Sequence, residues 1–390
     1  MKGRSENPLS GPRPDAHRAA AADAADAASA TDAASATDAP RPRIVAFGGG
    51  TGMAALLRGL KTYSDRITAV VTVTDNGGSS GRLRNDFDIA APGDIRNCLV
   101  ALADVDPLIA TVFQYRFHEA EFKDHCFGNL FITVLARVVG DFEESIKELN
   151  RLLRVRGRVI PACNGKVSLV AHHADGTKST GEVQITRSQK PIERIELRPG
   201  PVAMSPEILQ SVSEADLFLF GPGSLYTSVI PNLLIEGLVD AIKRTGKPRV
   251  YVGNIMTQPG ETPGYRLSDH LKALRAHVGN DFPDAVIAHS GPVPEDLLRR
   301  YGEQGAEPVL QDLGESGDYR NVRVIEGDFL AEEGDQPSSS ARHDSAVLAR
   351  VIHEEFLLAL EAAGSRGRAP DGRRHLQEDP RHAHGTRALR

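Results

Sequence analysis

The stretch Ile44-Val45-Ala46-Phe47-Gly48-Gly49-Gly50-Thr51-Gly52-Met53 decides how the rest of the chain is read. Its first four residues predict a buried strand, its glycines allow a tight turn with no Cβ in the way, and Ala54 to Leu60 predict a helix. Such a turn aims backbone N–H groups and a helix N-terminus at whatever lies above it, and an anion, most often a phosphate, is the natural guest. The G-x-G-x-x-G spacing is met at Gly48 and Gly50, but Met53 takes the third glycine position and no Gly-Lys-Ser/Thr follows. A nucleotide or phosphate site and a purely structural turn both stay open on this stretch alone.

Working outward, Ile67 to Thr74 is rich in β-branched residues and predicts a second buried strand, which completes a β-α-β unit. Asp75 closes it, and an acid at this place in a dinucleotide fold binds ribose hydroxyls. The loop that follows, Asn76-Gly77-Gly78-Ser79-Ser80-Gly81-Arg82-Leu83-Arg84, offers hydroxyls and guanidinium groups suited to a pyrophosphate or sugar phosphate. The same composition also serves an ordinary solvated loop. Pro92-Gly93-Asp94-Ile95-Arg96-Asn97 opens a helix, with Asp94 read either as its N-cap or as a ligand. Asn129, at the start of a later apolar helix, is expected to face the same cleft. His118, Asp124, His125 and Cys126 lie close in sequence, but their spacing matches no defined metal site.

Between Arg158 and Leu197 the pattern changes. Val159–Ala162, Val167–Ala171, Gly181–Ile185 and Ile192–Ile195 read as short strands separated by Asn164-Gly165 and Asp175-Gly176 turns, which predicts a small antiparallel insertion over 158–197 acting as a lid or interface. Parallel logic resumes with the strand Ala215–Phe220, which runs into Gly221-Pro222-Gly223-Ser224-Leu225-Tyr226-Thr227-Ser228, and a helix is expected from Asn232 to Lys243. Arg249–Val252 repeats the design, leading to Asn254-Ile255-Met256-Thr257-Gln258. In a right-handed β-α sheet such junctions gather at the carboxyl edge, where α/β proteins bind ligands. The remainder predicts helices over 268–277, 294–301 and 344–362 and strands over 285–288, near Val309 and over 322–325. Arg342, close to the start of the last helix, is unfavourable to the helix dipole and is expected to meet a carboxylate or a ligand phosphate.

The chain's 390 residues, 40% of them hydrophobic, are enough for one large or two modest globular domains. A formal net charge of -6 and an absence of Trp recommend neither nucleic acid nor an anionic membrane as a partner. Cys98, Cys126 and Cys163 are widely spaced and form no C-x-x-C arrangement, so a disulfide framework or zinc site is not expected and a cytoplasmic location is. Neither a membrane span nor a secretory signal is predicted. Residues 1–42, built of Ala, Asp, Ser and Thr, and residues 363–390, rich in Arg, Gly, Pro and His, are expected to be disordered tails.

Taken together, Gly48-Gly49-Gly50-Thr51-Gly52, Thr74-Asp75-Asn76-Gly77-Gly78-Ser79-Ser80-Gly81, Pro92-Gly93-Asp94-Ile95-Arg96-Asn97, Gly221-Pro222-Gly223-Ser224-Leu225-Tyr226-Thr227-Ser228 and Asn254-Ile255-Met256-Thr257-Gln258 resemble the gluconeogenesis factors, or YvcK-like proteins. These are relatives of the CofD 2-phospho-L-lactate transferases, and the resemblance covers residues 43–362. It implies a Rossmann-like, mostly parallel sheet flanked by helices, binding a nucleotide-containing ligand. UDP-sugars such as UDP-N-acetylglucosamine or UDP-glucose lead, with NAD as another candidate. It also implies a cytoplasmic protein concerned with cell shape and wall synthesis on gluconeogenic carbon; a homo-oligomer and a wall-synthesis or regulatory protein partner are further expectations. By similarity, Tyr301 and Arg342 belong to the sugar-nucleotide site.

Catalysis is a separate question. The CofD relatives use acidic residues after the second strand and in the following loop, assisted by a divalent metal. Here Asp75 and Asp94 stand in those regions, whereas Asn76 and Arg96 replace further acids, which weakens a Mg²⁺ site. The leading expectation is therefore a nucleotide-sugar-binding regulator with no catalytic residues. A CofD-like transferase using Asp75 and Asp94 is the alternative, and a nicotinamide oxidoreductase, suggested only by the glycine turn and Asp75, is a third reading.

Overall fold

The computed structural model describes residues 41–315, 317–332 and 341–366. Most of the expected tails over 1–42 and 363–390 lies outside the described residues, as does the approach to Arg342 over 333–340. The strands are β1 (Ile44–Gly48), β2 (Ile67–Val71), β3 (Arg158–Pro161), β4 (Ser168–His173), β5 (Lys178–Thr180), β6 (Ile192–Arg198), β7 (Leu217–Phe220), β8 (Arg249–Val252), β9 (Ala285–His289) and β10 (Arg323–Gly327). Seven of them form one parallel sheet in the order β10-β9-β8-β7-β1-β2-β3, and the other three form an antiparallel sheet in the order β5-β4-β6.

β1 lies centrally because both its faces must be covered. Ile44 and Ala46 pack with Leu56 and Leu57 of the Gly50–Leu60 helix on one side of the sheet, while Val45 and Phe47 point into the second core on the other. Phe47 stacks on Phe220 at 5.2 Å between ring centroids. Each of these large side chains, removed from water, contributes about 1.5–3 kcal/mol, which is why an unbroken apolar run specifies an interior parallel strand.

The chain leaves β1 toward β2 and β3, then crosses back to β7 and proceeds outward to β10. The carboxyl ends of β1 and β7 are therefore the point at which the strand order reverses, and the loops after them diverge to leave a crevice.

Several local expectations give way to tertiary context. Val159 to Pro161 does not belong to the insertion: β3 extends the main sheet in parallel beside β2. Gly181 to Ile185 is no strand, and a helix spans Glu182–Ser188 in its place. Its alternating apolar residues suggested a strand, but only Ile185 is buried, and the Val183 N–H is taken by Asn76 Oδ1 at 3.0 Å. The helix expected over 232–243 is split into Ile230–Leu233 and Leu238–Thr245 by Gly237, whose φ of 74° ends one helical path and starts another. Val309 lies in no strand and donates its N–H to the Ile255 carbonyl beside an isolated Met256–Pro308 bridge. The last helical run extends to Arg366, beyond the expected end at 362.

Candidate functional site

The glycine turn after β1 and the Gly221–Ser224 loop after β7 touch. A Cβ built on Gly52 would lie 2.9 Å from the Pro222 carbonyl oxygen, so only glycine lets the two loops meet. Around this contact run three adjoining depressions at the carboxyl edge. One, of about 140 Å³, is lined by Thr51, Gly223, Asn254, Thr257, Tyr301 and Arg342 among others. The next, of about 240 Å³, shares Thr51, Gly52, Gly223 and Gln258 with it and adds Gly49, Gly50, Ser224, Asp75, Asp94 and Glu182. The last, also about 240 Å³, shares Asp75 and Asp94 and continues along Ser79, Ser80, Arg96 and Asn129. Together they form a trough across the crevice.

The trough's middle is acidic. Asp94 lies in the first turn of the Gly93–Leu102 helix, but its carboxylate does not cap that helix, as was one expectation. It accepts the Gly50 backbone N–H instead. Burial, together with the neighbouring Asp75, raises its pKa to about 6. Asp75 accepts the Gly77 N–H at 2.7 Å, which orders the turn into the Gly78–Phe87 helix. Glu182, the first residue of the insertion's helix, faces both aspartates, and burial followed by their charge lifts its pKa to about 8. At neutral pH, Glu182 is thus mostly a hydrogen-bond donor and Asp94 mostly an acceptor.

Beside this cluster, buried Glu261 accepts from the Thr227 hydroxyl at 2.9 Å and the Tyr226 N–H at 3.3 Å. Burial raises its pKa to about 7 against the pull of those donors. The hydroxyl of Ser79 contacts Asn129 Nδ2 and His125 Nδ1, both at 3.2 Å. Arg96 donates to Asn129 Oδ1 at 3.0 Å and to Asn97 Oδ1 at 2.7 Å. At the other end the Gly223 N–H reaches Asn254 Oδ1 at 3.4 Å, Gln258 donates to Ser224 Oγ at 2.7 Å, and the Ala341 N–H donates to the Tyr301 hydroxyl at 2.8 Å. Asn254 Nδ2 and Gln258 Oε1 are buried polar atoms with no hydrogen-bond partner among the described residues, as is Arg96 Nε.

Most of the residues singled out in the sequence meet here, including Tyr301 and Arg342, which are far in sequence from the glycine turn. Four do not line the trough. Gly48 and Gly221 lie beneath it: Gly48 ends β1 and Gly221 donates its N–H to the Phe47 carbonyl. Asn76 turns away to hold the insertion's helix, and Arg82 reaches out to the Lys123 carbonyl. Sequence alone does not single out Glu182 or Gln258 as site residues, because Glu182 lies in an alternating stretch that reads as a strand and Gln258 only closes the motif that begins at Asn254. Arg96, read as a missing acid, is instead a buried cation in the wall. The cluster His118, Asp124, His125 and Cys126 does not converge: His125 turns to Ser79, and the Cys126 Sγ–H points to the Phe113 carbonyl. Among the described residues no three His, Cys, Asp or Glu side chains are grouped to hold a metal ion by themselves, and no helix is long and apolar enough to cross a membrane.

Residues 44–330 match the family model described as 2-phospho-L-lactate transferase CofD. The gluconeogenesis factor of Bacillus subtilis is 42% identical over 313 residues, which cover 80% of this chain and 97% of that protein. The gluconeogenesis factor of Listeria monocytogenes is 41% identical over 294 residues, covering 75% of this chain and 90% of that one. A crystal structure of a UPF0052 family member from Bacillus halodurans superposes with a TM-score of 0.76 at 42% identity, over 80% of this chain and 99% of the other. The crevice at the strand reversal, the paired glycine loops and these relatives lead to one assignment: the chain belongs to the CofD family, in which it is similar to the gluconeogenesis factors.

Proposed function

We propose that the trough binds a nucleotide sugar of the UDP-N-acetylglucosamine or UDP-glucose type. On this reading the protein is a cytoplasmic regulator that passes ligand occupancy on to the control of cell shape and wall synthesis during gluconeogenic growth. The observation that carries the reading is the contact between the glycine loops after β1 and β7, set between a polar end with Tyr301 and Arg342 and an end with Ser79, Arg96 and Asn129. Backbone N–H groups at the junction suit a diphosphate. The unmet hydrogen-bonding capacity of Asn254 and Gln258 suits a polar base or sugar, since buried polar atoms are normally paired. NAD would use the same loops, and it is the control ligand.

A transferase of the CofD type is the second reading, favoured by one feature: Asp75, Asp94 and Glu182 line the same depression as the glycine turn. Mg²⁺ is commonly held by one or two carboxylates together with substrate phosphates, and Asp75 and Asp94 fit that role without a complete protein cage. Bound there, the ion would neutralise phosphate charge. The chain's own contribution would be to orient the donor on the glycine loops and to hold a proton on Glu182.

Calorimetric titration with UDP-N-acetylglucosamine, UDP-glucose and NAD, with and without Mg²⁺, separates the readings when ligand integrity is checked afterwards. Micromolar binding corresponds to about 8 kcal/mol. Binding of an intact UDP-sugar without Mg²⁺, lost in Arg342→Ala, supports the regulator. Mg²⁺-dependent consumption of the ligand supports the transferase, and no binding of either UDP-sugar overturns the proposal.

A further inference from the structure

The opposite, amino-terminal edge of the main sheet carries a regular charge pattern. β1 is preceded by Arg43 and β2 by Arg66, while β3, β8 and β10 begin with Arg158, Arg249 and Arg323. On the β7–β10 side these charges are satisfied. Arg249 grips Asp284 through Nε at 2.9 Å and Nη2 at 2.6 Å, and Arg323 pairs with Glu355. On the other side Arg43, Arg66 and Arg158 converge on a cavity of about 250 Å³ in which, among the described residues, Glu214 is the one carboxylate of the lining.

That carboxylate is not enough for three guanidinium groups. Arg43 holds it at 3.1 Å, and Glu214 is kept below the usual carboxylate range by its hydrogen bond from Gln210 and by Arg43, Arg158 and Arg66. Arg158 Nε is held by the Thr68 hydroxyl at 3.1 Å, and Arg66 is held by the Arg41 carbonyl at 3.2 Å. Neutral acceptors fix these two side chains without cancelling their charge, and the Ser211 hydroxyl completes the polar wall. Arg43 and Arg66 stand next to each other, one residue before the paired Ile44 and Ile67, while Arg158 of β3 is in register with Thr68, two residues further along β2. All three line the same cavity, and planar guanidinium groups gathered there suit bidentate donation to phosphate oxygens.

We propose that this cavity is a second binding site, distinct from the trough, for a compact phosphorylated anion carrying one or two phosphate groups. Its position across the sheet from the trough makes it a place where a small anion can bind without competing for the nucleotide loops. The partly exposed arginines make the affinity sensitive to ionic strength.

The test is phenylglyoxal modification of the full-length protein with and without inorganic pyrophosphate at constant ionic strength, read arginine by arginine by peptide mass spectrometry. At a probe concentration about ten times its Kd, modification of Arg66 and Arg158 is expected to slow roughly tenfold. Arg151, whose side chain is 78% exposed, should keep its rate. In the doubly substituted Arg66→Gln, Arg158→Gln protein, checked for an unchanged circular dichroism spectrum, protection of Arg43 by pyrophosphate should disappear. Unchanged rates at Arg66 and Arg158 overturn the proposal, and so does equal slowing at Arg151. Protection at Arg342 reports on the trough alone, so the two sites fail or succeed separately.

Discussion

Asp94 approaches the glycine turn so closely that a Cβ built on Gly49 would lie 2.5 Å from its Oδ2 atom and 2.8 Å from the Thr72 methyl group. The buried carboxylate, which takes the Gly50 N–H, and the bare Cα beside it thus determine the shape of the turn together. Gly49→Ala must push the turn or the aspartate aside. Overpacking of this kind costs about 1–3 kcal/mol, so the variant should melt lower while remaining folded. If the trough binds a nucleotide sugar as proposed above, calorimetry should show that binding weakened by more than the stability change alone explains. Wild-type affinity in this variant would mean that the turn's shape does not matter to the ligand.

Asn76 makes a second prediction. Its side chain accepts the Val183 N–H and packs on Gly181, so a residue from the loop after β2 fixes the helix that delivers Glu182. Asn76→Ala removes the acceptor and leaves a backbone N–H at the helix start unpaired, at a cost of about 1–2 kcal/mol. The expected outcome is faster amide hydrogen exchange confined to residues 181–188, with β1 and β7 unchanged. Uniform acceleration throughout the chain would place Asn76 in the global core instead.

The contrast between Asn76 and the glycine turn shows what the sequence could reveal. β1 was legible because burial on both faces requires an uninterrupted apolar run, and the turn after it was legible because glycines in that number have few other uses. The trough's far end was readable only through resemblance, since nothing in the spacing brings Tyr301 or Arg342 to Gly52. Glu182 was hidden for a different reason. Gly181 to Ile185 alternates as a strand does, and its helix is set by contacts from Asn76, more than 100 residues away. β3 was misplaced because short apolar segments look alike in parallel and antiparallel sheets until their partners are known.

Glu261 supplies a third prediction. It is 4% exposed and depends on the Thr227 hydroxyl and the Tyr226 N–H for its hydrogen bonds. Thr227→Val conserves shape but removes a donor to the ionised carboxylate, which should raise its pKa further and destabilise the protein by about 1–3 kcal/mol near neutrality. The loss should shrink at pH 5, where Glu261 is protonated and needs the donor less. Equal destabilisation at pH 5 and pH 8 in denaturant titrations would show that the threonine acts by packing alone.

Glu182 gives the sharpest pH dependence. Its folded pKa of about 8 lies above the ordinary glutamate value of 4.5, so the folded state holds a proton that the unfolded chain has released between those two values. Stability from this group is present below pH 4.5 and is lost as pH rises toward 8. Glu182→Gln keeps a neutral hydrogen-bonding group and removes the titration. The variant should match the wild type at pH 4 and gain on it steadily up to pH 9, by on the order of 2 kcal/mol after allowance for solvent screening. The same ionisation places negative charge beside the glycine turn, where a diphosphate would lie on the reading proposed above. In the wild type without Mg²⁺, affinity for a nucleotide sugar should therefore fall as pH rises from 6 to 9, and in Glu182→Gln it should fall less. Chemical denaturation and calorimetry across that range measure both slopes. A variant that keeps the wild-type slope in both would move the titrating group to Asp94.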